Sequence, residues 1–115
     1  MAILYGIPNC DTVKKARSWL DANSIAYQFH DYKKAGITRE KLVSWCGEFG
    51  WEKVLNRAGT TFRKLDEAQK ADLDEAKAIN LMLAQPSMIK RPIVEKNGAN
   101  LVGFKVEDYE KAFEV

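Results

Sequence analysis

The sequence is poor in the residues that most often announce a chemistry. It has two cysteines and one histidine among 115 residues. That set cannot complete a four-ligand zinc site, so no metal is expected. Two cysteines are also a thin basis for a structural disulfide framework. They read as free thiols of a reducing compartment, which makes the cytoplasm the expected location. Charge of one sign is missing too. Eighteen Lys and Arg against sixteen Asp and Glu leave a net +2, with both signs interspersed. This argues against nucleic acid or a membrane as a direct partner. No apolar run approaches the ~18 residues that a spanning helix needs. No basic segment followed by a long apolar stretch opens the chain, so no signal peptide is read. Repeats, low-complexity tracts and Gly/Ser/Pro linkers are missing as well.

What is present is ordinary globular material, 46% hydrophobic and 30% charged. It suits one domain with one modest core. Residues 2–6 read as a buried strand. Residues 11–22 read as a helix, with Val13, Ala16 and Leu20 at helical spacing and Lys14, Lys15 and Arg17 mainly off that line. "IAYQFH" alternates Ile25, Tyr27 and Phe29 as a second strand. The middle is helical. Thr38 is placed to cap a helix over 39–49, with Leu42, Cys46 and Phe49 on one face. Asp66-x-x-Gln69 and Asp72-x-x-Glu75 both carry the capping-box spacing, the latter ahead of Ala76, Ile79 and Leu83. Pro86 should stop that helix. Residues 92–95 and 100–104 then read as a hairpin around Asn97-Gly98. A closing helix aligns Val106, Tyr109 and Phe113. The order is βαβ, a helical segment, then ββα. That is the thioredoxin framework: an α/β fold with a mixed four-stranded sheet and an inserted helical subdomain. The expected organisation is a single domain over 1–115, with a core of about 1–31 and 91–115 and an insertion of about 32–90.

Chemistry concentrates on Cys10. It follows a strand and a turn built from Gly6, Pro8 and Asn9, at the threshold of a helix. Unpaired N–H groups and the macrodipole favour a thiolate there. Thioredoxin-type proteins usually carry a second cysteine three residues on, where this chain has Val13. Cys46 falls on an apolar stripe and reads as packing, with a resolving thiol as the alternative. His30, beside Asp31, reads as structural. Arg57, Arg63 and Arg91 are candidate oxyanion or carboxylate ligands, set against the plainer reading of solvated surface charges.

"YGIPNCDTVKKA", "LNRAGTTFRKL" and "KRPIVEKNGANLVGF", in that order over nearly the whole chain, resemble the ArsC-like group of the thioredoxin superfamily. That group holds ArsC arsenate reductases, Spx regulators and small YffB-type proteins, and the likeness is closest to the YffB type. The resemblance implies Cys10 as the catalytic cysteine. It implies that Arg91 matches the arginine that holds the oxyanion in arsenate reductases, and that Pro92 is a cis-proline facing the cysteine. Asn9, Arg57 and Arg63 complete the expected substrate and glutathione site, with Asn56 rather than Arg57 in the aligned place of a further family arginine. Gly103 stands where arsenate reductases have another arginine, and "CDTV" replaces the Cys-x-x-Cys typical of Spx.

Three functions follow. The first is a cytoplasmic monothiol oxidoreductase with glutathione as co-substrate and an oxidised thiol or oxyanion as the other partner, acting as a monomer, with glutaredoxin a further candidate partner. The second is arsenate reduction by the same thiol. The third is a non-catalytic, Spx-like protein that binds RNA polymerase.

Overall fold

The computed structural model describes residues 1–115. Its elements run β1 (Ala2–Gly6), α1 (Asp11–Ala22), β2 (Tyr27–Asp31), α2 (Tyr32–Ala35), α3 (Arg39–Phe49), α4 (Trp51–Val54), α5 (Thr60–Arg63), α6 (Glu67–Lys70), α7 (Glu75–Ala84), a 3-10 turn (Pro86–Met88), β3 (Ile93–Glu95), β4 (Leu101–Val102) and α8 (Val106–Phe113). Two compact units result: Met1–Ala35 with Arg91–Val115, and Gly36–Lys90.

The first unit is a four-stranded sheet in the order β2-β1-β3-β4. β1 and β2 are parallel, with Gly6 opposite Asp31, and β3 and β4 join antiparallel, with Tyr5 opposite Ile93. This is the mixed thioredoxin-like sheet. Because side chains alternate along a strand, Leu4 faces one way and Ile3 and Tyr5 the other. Ala2, Leu4 and Val94 pack with Val13, Ala16 and Leu20 of α1 and Tyr109 of α8. The Tyr109 hydroxyl donates to the Gly103 carbonyl at 2.9 Å. Its ring meets Trp19 and Phe104 edge-on, with centroids at 5.6 and 4.8 Å. Val106 was expected in the same buried line but is exposed, as the first residue of its helix. The Asn97-Gly98 turn closes with Ala99 N–H donating to the Lys96 carbonyl at 2.9 Å. β4 is shorter than its sequence pattern, since Gly103 takes φ +80° and turns the chain away.

In the second unit, Thr38 caps α3 by accepting from the Lys41 N–H at 3.2 Å. α3 buries Leu42, Trp45 and Cys46, while Phe49 is only half-buried. The Asp66–Gln69 capping box forms, on a helix of a single turn. α7 departs from expectation. Its cap is Asp74, which accepts from the Lys77 N–H at 2.8 Å, and Asp72 takes φ +50° in the preceding loop. The buried residues are accordingly Ala78, Ile79 and Met82 rather than Ala76, Ile79 and Leu83. Val54–Asn56 runs beside Met88–Lys90, with Asn56 N–H donating to Met88 at 2.8 Å and Lys90 N–H to Val54 at 2.7 Å. No helix is long and apolar enough to cross a membrane.

Candidate functional site

Cys10 is the N-cap of α1. Its backbone is extended at φ −97°, ψ 127°, and its side chain makes no capping hydrogen bond. Its N–H donates to the Ile7 carbonyl at 3.3 Å, closing the turn, and its carbonyl accepts the first helical N–H, from Lys14, at 2.9 Å. The thiol is free and half-buried behind exposed Pro8 and Asn9. The sulfur therefore stands at the N-terminus of a twelve-residue helix without being committed to its first N–H groups.

Val13, in the place of a second cysteine, is fully buried. A Cβ built on Gly6 would lie 2.7 Å from Val13 Cγ2, so the absence of a side chain at Gly6 is what lets β1 approach α1. That contact is a packing device rather than a redox one.

Arg91 and Pro92 lie at the same end of the sheet as Cys10. Continuing the antiparallel register past Tyr5–Ile93 sets Pro92 level with Gly6 and Arg91 level with Ile7. The Arg91–Pro92 bond is cis, as the resemblance to the ArsC-like group implies. Pro92 is buried, and its carbonyl accepts the Gly103 N–H at 2.8 Å. Beside them on the face of β1 away from Leu4 and α1, the Tyr5 hydroxyl donates to Glu95 Oε1 at 2.7 Å, and the His30 ring lies 4.8 Å from that of Tyr5. Burial, then the hydrogen bond to Glu95, pushes the Tyr5 hydroxyl well above its ordinary range, so Tyr5 stays protonated and donating.

Arg57 and Arg63 belong to the second unit, and both are exposed. The Arg57 guanidinium stands 5.6 Å from the centroid of Trp51. Arg63 lies in the last turn of α5, and its carbonyl accepts from Lys70 Nζ at 2.9 Å. Asn56 has a loop-building part: its Oδ1 accepts the Ala58 N–H at 3.2 Å, and a Cβ at Gly59 would meet its Nδ2 at 2.9 Å. Cys46 is buried, and burial followed by Glu75 and Glu52 pushes its thiol up to about 11. It is therefore a packed hydrophobe at neutral pH. No group of three or more His, Cys, Asp or Glu side chains is arranged to hold a metal ion.

Sheet, cis-proline and a lone thiol at the mouth of the first helix define a class, the thioredoxin-like proteins. Within that class the chain belongs to the ArsC family, whose model matches residues 5–112. It is 70% identical to a solved YFFB protein, covering 97% of this chain and 98% of that one, with a TM-score of 0.95. A solved arsenate reductase (ArsC) related protein from Brucella melitensis is 54% identical, with coverage of 99% and 95% and a TM-score of 0.77. The global transcriptional regulator Spx of Streptococcus mutans is 32% identical over 118 residues, covering 98% of this chain and 82% of that protein.

Proposed function

We propose that this chain is a cytoplasmic monothiol reductase in which Cys10 is the nucleophile and glutathione supplies the second sulfur. The observation that carries the reading is the pairing of Cys10, uncommitted at the N-terminus of α1, with a fully buried Val13 where an internal resolving thiol would stand. The Cys10 thiolate attacks an oxidised sulfur and forms a mixed disulfide. A second thiolate then attacks that disulfide and releases Cys10. Pro92 and Arg91, level with the Cys10 turn, supply backbone groups and a cation to an extended peptide, with Asn9 on the turn itself. The protein acts as a monomer, with glutaredoxin as an additional reductant.

Similarity to an arsenate reductase (ArsC) related protein supports arsenate as an alternative oxidised substrate of the same thiol. Gly103 counts against it, because an oxyanion beside a thiolate needs every available cation. A charge-assisted hydrogen bond contributes about 1.5–3 kcal/mol. Similarity to Spx supports a regulatory reading through RNA polymerase, which would survive Cys10→Ser.

Intact-mass measurement after mixing with oxidised glutathione tests the main reading. One glutathione adduct is expected on the wild type and none on Cys10→Ser. An unmodified wild type that instead turns over arsenate would reverse the order of the first two readings.

A further inference from the structure

A cleft of about 460 Å³ opens beside the Cys10 turn, lined by Pro8 from that turn, Arg17 from α1, Phe29 and Asp31 from β2 and Lys34 from α2. Its size falls in the range of small-ligand sites, ~300–1,000 Å³. Its chemistry is uneven. Arg17 Nε donates to the Tyr27 hydroxyl at 2.9 Å, and the guanidinium carbon lies 4.2 Å from the Phe29 ring centroid. The guanidinium is therefore anchored against an aromatic ring through Nε, and its terminal nitrogens are the groups offered to a ligand. Asp31 keeps its carboxylate charge in the cleft wall, with Oδ1 accepting the Lys33 N–H at 2.9 Å, so one anion stands against the two cations Arg17 and Lys34. The cations are in excess by one, over an apolar floor of Pro8 and Phe29 with His30 and Ala35 completing the wall.

Position relates this cleft to the thiol. Arg17 is seven residues past Cys10, which returns it to the same side of the helix within about 20°, roughly 10 Å along the axis. The guanidinium packs on Phe29 and Nε reaches Tyr27, the β2 residues opposite Leu4 and Ala2, so it stands along the sheet from the Gly6–Asp31 end where the Cys10 turn begins. An extended peptide covers about 3.3–3.6 Å per residue, so a carboxylate two or three residues from a reacting sulfur reaches this distance.

We propose that the cleft seats the carboxylate-bearing half of the disulfide that Cys10 attacks, and that Arg17, aided by Lys34, makes the protein selective for acidic disulfides. This rests on the monothiol reading. In the step concerned, the Cys10 thiolate attacks one sulfur of RS–SR. The Cys10–SR bond forms, the original S–S bond breaks, and the departing RS⁻ takes a proton from water. Cys10 is oxidised to the disulfide level and the leaving half is reduced to a thiol. A planar guanidinium recognises a carboxylate through two parallel hydrogen bonds, and its contacts with Phe29 and Tyr27 hold it in place for them.

The test compares rates of Cys10 adduct formation with oxidised glutathione and with uncharged hydroxyethyl disulfide, each followed by intact mass. The quantity read is the ratio of the two rates. Arg17→Met should lower that ratio about tenfold or more, the loss expected for a charge-assisted contact. Lys34→Gln, on the exposed one-turn α2, should lower it by about threefold, in keeping with a weaker point-charge contact. An unchanged ratio in both variants overturns the seat. A wild type that reacts with hydroxyethyl disulfide but not with oxidised glutathione keeps Cys10 as a monothiol nucleophile, but removes glutathione as its partner and removes this seat. A wild type that reacts with neither removes both.

Discussion

At the scale of single residues, the two thiols differ in what they do for the protein. Cys46 holds its proton in the folded state up to about 11, whereas the ordinary value is 9.0. Between those values the unfolded chain releases a proton that the folded chain keeps, and release favours unfolding. Cys46 therefore contributes stability that is fully present below pH 9 and is lost as pH rises through about 11. Tyr5, Tyr32 and Tyr109, all pushed above 10.0 chiefly by burial, add to the loss from pH 10 upward. The urea midpoint should fall as pH rises from 9, and Cys46→Ala should delay the onset of that fall toward pH 10. Tryptophan fluorescence at pH 8, 9.5 and 10.5 measures it, and an onset unmoved by the substitution would contradict the assignment. Gly103 is a second case. Its φ of +80° suits glycine, so Gly103→Arg should cost about 1–3 kcal/mol of stability whatever it does to oxyanion binding. Thermal unfolding gives that number directly.

Among the elements, the contact of β1 with α1 sets where the thiol stands. A methyl at Gly6 would lie 2.7 Å from Val13 Cγ2, so Gly6→Ala should destabilise by about 1–3 kcal/mol and slow Cys10 adduct formation. Val13→Ala on the same chain removes the clashing atom, so the double variant should lose less than the sum of the single ones. Denaturant unfolding of the four proteins checks this, and strict additivity would refute it. At α7, Asp74→Ala should cost about 1 kcal/mol and Asp72→Ala much less, since Asp74 alone accepts a helical N–H. That pair shows where the sequence stops being readable. Both aspartates stand ahead of the same apolar run, and local spacing does not decide which one starts the helix. The long periodic helices and the Asn97-Gly98 turn were legible, because each leaves a signal within a few residues, whereas the cis Arg91–Pro92 bond was expected from the family resemblance alone. The one-turn helices α4 and α5 were not, being too short to show a period. Arg17 was legible only as a charge off the apolar line of α1. That β2 brings Phe29 and Tyr27 under it depends on how the crossover docks, which no local pattern records.

For the molecule as a whole, the order of chain segments matters. The first unit is assembled from Met1–Ala35 and Arg91–Val115, with the continuous second unit between them in sequence. Ending the chain after Lys90 would remove the β3 neighbour of β1 and take Val94 and Tyr109 out of the core. The amide signals of Leu4 and Val13 should then collapse toward random-coil positions. Retained dispersion at both would show that β1, α1 and β2 hold together without the C-terminal segment. The packing of Val13 against Gly6 reaches further, into the timing of the proposed reaction. A sulfur in that place would resolve a mixed disulfide within the chain, at a rate indifferent to anything dissolved around it. With a valine filling the place, the second step waits for a collision. The adduct's lifetime then varies inversely with the concentration of free thiol, and halving that supply doubles the wait. Two methyl groups thus convert an internal clock into one wound by the surrounding solution.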